Sequence, residues 1–303
     1  MIFILLIAVT ILVTIISILC FHKGTNKEPF GTQAVSNIGN QVLVYIRHSI
    51  LKAIDKPSNT PGFAIEGFPE FTNLTLEEVK TFQEMPNEVW EIHPIESMWS
   101  YTAWPDNVKK YYMIYWRTCG PILRRLFDQV LPKVKPQTVP IVHFRCSDIP
   151  FNRHPFYHLP TNDMVEWTCK IIKERGYNSV VFLHCNKHLA NTGDKKHCER
   201  FFEHYINIYK KNNITVSFQC KSILEDFASM VYSPLLVSLN ESSFAFVAGM
   251  TKDPANFVSG NNIRETQESS NGYLETKDVD WIYYLKPPIL HKDVKDYHKL
   301  ELK

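Results

Sequence analysis

The stretch that decides the fold is Val139 to His158, with the sequence VPIVHFRCSDIPFNRHPFYH. Its apolar start, Val139 to Val142, lies in a segment bounded by prolines and is typical of a short buried strand in an α/β sheet. His143, Arg145 and Asp148 follow at the carboxyl end of that strand. Ligands of open α/β sheets bind at this edge. An imidazole, a guanidinium and a carboxylate there predict a site for an anionic ligand.

The composition indicates a globular protein. The chain has 303 residues, of which 45% are hydrophobic and 13% aromatic, enough for one large or two ordinary domains. The formal net charge is +2, and no basic run is interleaved with aromatic residues. Binding to nucleic acid is therefore not expected, and any anion site must be local.

The amino-terminal run Ile2 to Cys20 carries no charged residue and is long enough, as a helix, to cross a hydrocarbon core of about 30 Å. It predicts a membrane anchor over 1–22, followed by a stalk over 23–30. A cleaved signal peptide is the alternative, but the run lacks a basic start and a cleavage motif. Lys23 and Lys27 favour a cytosolic soluble part by the positive-inside rule, and a Golgi or ER lumenal part stays open.

The soluble chain is predicted to form an acceptor-side domain over 31–135 and a nucleotide-binding domain over 136–262, with a tail over 263–303 that packs back. The boundary is placed at Leu131 to Thr138, which has the composition of a linker. Beyond it, strand and helix patterns alternate, which predicts a parallel, doubly wound sheet. In the first domain, Gly39-Asn40-Gln41 predicts a tight turn that opens a helix, and Pro121 to Val130 predicts a second helix.

Seven cysteines are present, six of them beyond the apolar run. They show no CxxC spacing. Cys169 and Cys198 fall on the apolar faces of predicted helices, while Cys185 and Cys220 end predicted strands. Free buried thiols are expected at least as much as disulfides, and the spacing does not favour a metal site.

Three polar groupings are expected at the carboxyl edge of the sheet. They are His143 with Arg145, Asp226 in the first turn of a helix capped by Ser222, and the Ser-Ser pair that begins another helix. Backbone N–H groups and hydroxyls at the Ser242-Ser243 helix start can hold a phosphate, and Arg145 can clamp a pyrophosphate. Asp226 can accept hydrogen bonds from a guanine.

The chain resembles the fucosyltransferase superfamily that includes the α1,2-, α1,6- and protein O-fucosyltransferases. The resemblance is carried by GNQ at Gly39 to Gln41, HFRCSD at His143 to Asp148, SILEDF at Ser222 to Phe227 and ESSF at Glu241 to Phe244. It implies a GT-B architecture with two Rossmann-like halves. It also implies inverting transfer from GDP-fucose to a glycan or glycoprotein hydroxyl, with no required metal or other cofactor.

The resemblance also assigns roles to residues. His143 and Asp226 would face the guanine, Arg145 would hold the β-phosphate, and Asn40 would approach the phosphates or the sugar. Gly39, Gln41, Ser242, Ser243 and Phe244 would complete the donor pocket. Cys146 stands where the α1,2 and α1,6 groups usually carry a second arginine, which favours chemistry like that of the protein O-fucosyltransferases. Asp148, His154 and His158 are the candidates for a general base.

Two further matters stay open from the sequence. Glycosylation triplets occur at Asn73, Asn213 and Asn240, and a glycan on Asn240 would obstruct the predicted donor pocket. The alternative functions are a non-catalytic glycan- or nucleotide-binding protein on the same fold, and a transferase for another nucleotide sugar.

Overall fold

One parallel β-sheet organises the part of the chain that the structure describes. This computed structural model describes residues 38–57, 74–93, 104–146, 159–183, 195–240, 242–259 and 282–283. The strands are β1 (Ile141–His143), β2 (Ser179–Leu183), β3 (Thr215–Gln219), β4 (Leu236–Ser238), β5 (Phe257–Ser259) and β6 (Ile282–Tyr283). They form a six-stranded sheet in the order β3-β2-β1-β4-β5-β6, and every neighbouring pair is parallel. This is the strand order of a doubly wound nucleotide-binding fold, so the predicted α/β class is confirmed.

Helices precede the sheet and connect its strands. Before β1 lie α1 (Ile38–Ala53), α2 (Leu76–Gln83), α3 (Asn87–Glu91) and α4 (Tyr111–Val130). Between strands lie α5 (Asn162–Glu174), α6 (Lys195–Lys211), α7 (Ile223–Tyr232) and α8 (Ser243–Met250), followed by a short 3-10 turn at Pro254–Asn256. Side-chain caps begin two of these helices. The Thr161 side chain accepts from Met164 N, and Ser222 and Glu225 form a capping box at the start of α7.

Alternation along the short strands divides the core into two layers. Ile141 and Leu236 contribute to the layer that contains α1, α4, α7 and α8. Val142 and Val237 contribute to the opposite layer, which contains α5 and α6. Because successive side chains of a strand point to opposite faces, a one-residue shift of register would exchange the two layers.

Helix α8 is the central helix of the first layer. Its sequence, SFAFVAGM, is apolar on all sides, which is typical of a helix that is covered all round. It contacts α1, α4, α7 and the strands β4 and β5. Two glycines permit the closest approaches. A Cβ on Gly39 of α1 would lie 2.4 Å from Phe244 N, and one on Gly120 of α4 would lie 2.4 Å from Met250 O.

Two local predictions were wrong. Gly39-Asn40-Gln41 is not a turn before a helix but part of the first turns of α1, which begins at Ile38. Helix α4 begins at Tyr111, ten residues before the predicted start at Pro121. Tyr112, Tyr115, Trp116 and Cys119 are all buried, so they extend the inward stripe of the helix toward its amino end. The packing of this aromatic stripe outweighs the one hydrogen bond that the proline removes.

The first half of the chain contributes helices to the described fold. Every strand that the structure describes lies between residues 141 and 283 and belongs to one sheet. One apolar cluster joins residues from both sides of the predicted linker, including Trp116 and Phe246. The GT-B arrangement with a second Rossmann-like half therefore stays a prediction, as does the division into domains.

The predicted anchor at Ile2 to Cys20 lies outside the described residues. Within the ranges that the structure does describe, no helix is both long and apolar enough to cross a membrane.

Candidate functional site

The candidate site lies at the carboxyl ends of β1 and β4, the central neighbours of the sheet. His143 ends β1 and is paired in register with Ser238, which ends β4. Successive strands are added toward one edge of the sheet from β1 to β3 and toward the other edge from β4 to β6, so the strand order reverses between β1 and β4. Such a switch point leaves a crevice outside the strand ends, where ligands of open α/β folds bind.

His143 brings a neutral imidazole to the crevice. Burial is the main cause that lowers its pKa to about 4; the nearby Arg145 lowers it further, and Asp226 raises it. Its Nδ1 is shielded from solvent and has no hydrogen-bond partner among the described residues. The ring of Phe244 lies 5.8 Å away, centroid to centroid. At neutral pH His143 therefore offers a hydrogen bond rather than a positive charge.

Arg145 is held through its main chain. Asn240 Oδ1 accepts from Arg145 N at 2.9 Å, and Asn240 Nδ2 donates to Arg145 O at 2.6 Å. The next residue, Cys146, forms a disulfide with Cys198 of α6. The segment that leaves β1 is thus attached to the end of β4 on one side and to a helix on the other.

The disulfide corrects the expectation for the cysteines. Cys146 and Cys198 are joined, with their Cα atoms 5.7 Å apart, and Cys220 is also disulfide-bonded to a partner outside the described residues. Cys119 and Cys169 are free and buried. Cys146 stands at the position where the α1,2 and α1,6 groups usually carry a second arginine. Here the residue has a structural role, because its disulfide anchors the segment that carries Arg145.

Phe244 is the point at which three helix amino ends meet. Its ring lies 5.0 Å from that of Phe227 in the first turns of α7, and its backbone N abuts Gly39 at the start of α1. Two residues earlier, Ser242 caps α8 and accepts from Ala245 N at 3.4 Å. The GNQ, SILEDF and ESSF motifs, which are far apart in sequence, are thus brought together here.

The charge at these amino ends differs between the helices. Helix α7 carries Glu225 and Asp226 in its first turn. Helices α1 and α8 carry no acidic residue in theirs. Their positive ends are therefore not compensated by a first-turn carboxylate, which favours the binding of an anion.

Asp226 is a buried acceptor, with 3% of its surface exposed. Its Oδ1 accepts from Gln219 Nε2 at 2.8 Å, and both of its oxygens lie within 3.3 Å of Lys221 N. Ser229 Oγ also accepts from Gln219 Nε2, at 2.8 Å. The predicted contact of Asp226 with guanine stays a prediction.

The structure brings together many of the residues predicted from the sequence, but not all of them. Gly39, Asn40 and Gln41 begin α1, where Gly39 admits the backbone of α8 rather than a ligand. Ser243 and Phe244 begin α8 and are partly buried. The candidate bases Asp148, His154 and His158 lie outside the described residues. In the described ranges, no group of three or more His, Cys, Asp or Glu side chains could hold a metal ion.

Sequence reasoning missed two polar residues that shape the site. Asn240 was noted only as a glycosylation triplet, and Gln219 was not singled out. Gln219 is the last residue of β3, and Asn240 lies two residues beyond the end of β4. That position at the carboxyl edge was the available signal.

No protein-family model, curated protein or solved structure matches this chain significantly.

Proposed function

We propose that this chain is an inverting glycosyltransferase that transfers L-fucose from GDP-fucose to a hydroxyl group of a glycan or a protein. The observation that carries the proposal is the convergence of the α1, α7 and α8 amino ends on Phe244, whose ring faces His143 at the switch point of the sheet, two residues before Arg145. The motifs that resemble fucosyltransferases are the ones that meet there.

The charge of this crevice suits a diphosphate. Each helix amino end is equivalent to roughly half a positive charge, and Arg145 adds a full charge with a planar array of donors. Neutral His143 offers a hydrogen-bonding nitrogen beside them. The carboxylate of Asp226, which acts on the pKa of His143 and is therefore nearby, is the proposed acceptor for a guanine.

The same groups would act in the chemical step. As the bond from the sugar to the diphosphate breaks, negative charge grows on the departing GDP. Arg145 and the two helix amino ends would stabilise that charge without reorganisation. Loss of one such donor in enzymes costs about 10²–10³ in kcat. A base must also remove the proton of the acceptor hydroxyl, and Asp148, His154 and His158 remain the proposed candidates.

The test is turnover with a donor panel. The soluble chain, residues 31–303, is incubated with GDP-fucose, UDP-sugars and dTDP-sugars, and release of the nucleoside diphosphate and transfer to a set of acceptors are measured. GDP release from GDP-fucose is expected, with a loss of about 10²-fold or more in Arg145→Ala. Arg175→Ala is the matched control, because Arg175 bonds Asn256 and Ala255 before β5, at the opposite edge of the sheet.

A binding protein without turnover is the second candidate, and one observation favours it. With a pKa of about 4, His143 is a weak base at neutral pH, although it lies in the crevice. GDP binding without turnover on any donor and acceptor would support this candidate and refute the transferase. A preference for UDP or dTDP would instead indicate another nucleotide sugar.

We also propose that the catalytic part lies in an oxidising compartment, held there by the amino-terminal apolar run. The Cys146–Cys198 disulfide and the bonded Cys220 support this, because disulfides are rare in reducing cytosol. A glycan on Asn240 would obstruct the donor pocket of an enzyme in that compartment. The Asn240 side chain has 0% exposure and two hydrogen bonds, so it has no room for a glycan.

A further inference from the structure

The Asn240 side chain takes the place of a main-chain group between β1 and β4. In the parallel register His143 is opposite Ser238, so Arg145 is opposite residue 240. The last main-chain bond of this ladder runs from Leu239 N to His143 O at 2.9 Å. Beyond it, the amide of Asn240 supplies both the acceptor and the donor that a neighbouring strand would supply to Arg145.

The amide of Asn240 is itself fixed in position. The residue is fully buried, and its own carbonyl accepts from Ser238 Oγ at 2.9 Å. Burial makes the pair of bonds to Arg145 costly to lose, because the Arg145 main-chain N–H and C=O would then lack these partners. The buried amide of Asn240 is thus attached to the main chain of Arg145 at the switch point.

The main chain around Arg145 is therefore held at successive residues. His143 O is bonded to β4, Arg145 is bonded to Asn240, and Cys146 is bonded to Cys198. These bonds fix the origin of the Arg145 side chain. Charge stabilisation in a reaction requires donors to be held within about 0.5 Å of the productive position, and a fixed backbone is one precondition for that.

We propose that Asn240 is a positioning residue, whose amide holds the Arg145 main chain so that the guanidinium is preorganised for the diphosphate of the donor. This inference rests on the proposed function. It assigns to Asn240 a role that requires its amide to stay unmodified.

The experiment is a double-mutant cycle on kcat/KM for GDP-fucose, with wild type, Asn240→Ala, Arg145→Ala and the double variant. If Asn240 acts through Arg145, Asn240→Ala lowers kcat/KM by about tenfold or more when Arg145 is present, and by less than about twofold when it is absent. Asn212→Ala is the control. It removes a hydrogen bond from an Asn amide to Ile208 O at the end of α6 and leaves Arg145 untouched.

A second variant covers the case in which Asn240→Ala does not fold. In Asn240→Asp, one carboxylate oxygen replaces Nδ2, which lies 2.6 Å from Arg145 O, and two acceptors then repel each other. Protonation of the introduced carboxyl group restores the donor. The activity ratio of this variant to wild type is therefore expected to rise as pH falls. Burial raises the pKa of the introduced carboxyl group, so the rise is expected at a higher pH than that at which an exposed aspartate titrates. His143, Arg145 and Asp226 are charged or titratable residues of the same site and are present in both proteins. Their effect on the pH dependence of activity therefore cancels in the ratio.

The outcomes separate this inference from the proposed function. If wild type neither binds GDP nor turns over GDP-fucose, the proposed function and the role of Asn240 both fail. If wild type is active but Asn240→Ala loses equally in both Arg145 backgrounds, Asn240 is only structural and this inference alone fails. A flat pH ratio for Asn240→Asp would contradict it in the same way.

Discussion

The contact of Gly39 with α8 links the packing of the first half to the candidate site, and Gly39→Ala tests that link. A Cβ at this position would lie 2.4 Å from Phe244 N and from the Ser243 carbonyl carbon, and 2.7 Å from Ser243 O. All three are backbone atoms, so no side chain can rotate away. Ordinary van der Waals contact begins at 3.4 Å, and α1 and α8 must therefore separate by about 1 Å.

The expected cost follows from this separation. Overpacking of this kind costs about 1–3 kcal/mol of the free energy of unfolding. Alanine recovers up to about 1 kcal/mol through its higher helix propensity, and less at the first turn of a helix than in its interior. The movement falls on Ser243 and Phe244, which begin α8 in the site. A misplacement of 1 Å can cost about 10²-fold in activity, so we expect GDP affinity to fall by about tenfold or more.

Gly120→Ala, in α4, is a matched control that packs against the same helix, α8. Its Cβ would lie 2.4 Å from Met250 O at the opposite end of α8. Both variants are compared by urea unfolding and by titration with GDP. A similar loss of stability is expected for both, with reduced GDP affinity in Gly39→Ala alone. Unchanged GDP affinity in a folded but destabilised Gly39→Ala would refute the reasoning, and so would an equal loss of affinity in Gly120→Ala.

Three other predictions follow from the described residues. The Cys146–Cys198 bond closes a separation of 52 residues, so its removal by Cys146→Ser should lower the free energy of unfolding by about 4 kcal/mol in denaturant titrations; an unchanged midpoint would contradict this. After expression through a eukaryotic secretory pathway, the glycosidase-sensitive mass shift should be smaller by one glycan in Asn213→Gln, whose position is an exposed turn with φ of 55°, and unchanged in Asn240→Gln; the reverse pattern would contradict the burial argument. The pKa of His143 is lowered to about 4 in the folded protein, so as pH falls from about 6.5 this histidine is protonated in the unfolded chain before it is protonated in the folded one. The free energy of unfolding should therefore decrease by up to about 3 kcal/mol toward pH 4. His143→Gln should lack this part of the decrease, and identical pH curves for wild type and variant would show that His143 does not contribute.

Local signals predicted the sheet half of the molecule well. Thr161 and Gly176 are typical residues for the start and the end of a helix; they flank α5, and Gly176 has the positive φ of 80° that a helix-ending glycine adopts. The capping box at Ser222 places α7 correctly. These features depend on residues within four positions of each other, and the strand-helix alternation sets the parallel order. Such information is present in the sequence itself.

The features that sequence analysis missed depend on distant residues. Gly39 was interpreted as a site for a ligand because glycine permits close approach, but its neighbour is the backbone of Ser243, about two hundred positions away. Asn240 carries a glycosylation triplet, and only the register of β1 against β4 shows that its amide is used by Arg145. The pairing of Cys146 with Cys198 likewise depends on how α6 lies against the end of β1, since connectivity cannot be deduced from spacing.

The most direct test of the central claim is calorimetric titration of residues 31–303 with GDP, GMP and guanosine, in wild type and in Arg145→Ala. The claim is that Arg145 and the helix amino ends at the β1–β4 switch point bind the diphosphate of a nucleotide. It predicts that affinity falls from GDP to GMP to guanosine, and that Arg145→Ala weakens GDP by about 10- to 100-fold while Arg175→Ala does not. Absence of GDP binding to folded wild type, or equal GDP affinity in wild type and Arg145→Ala, would contradict the account.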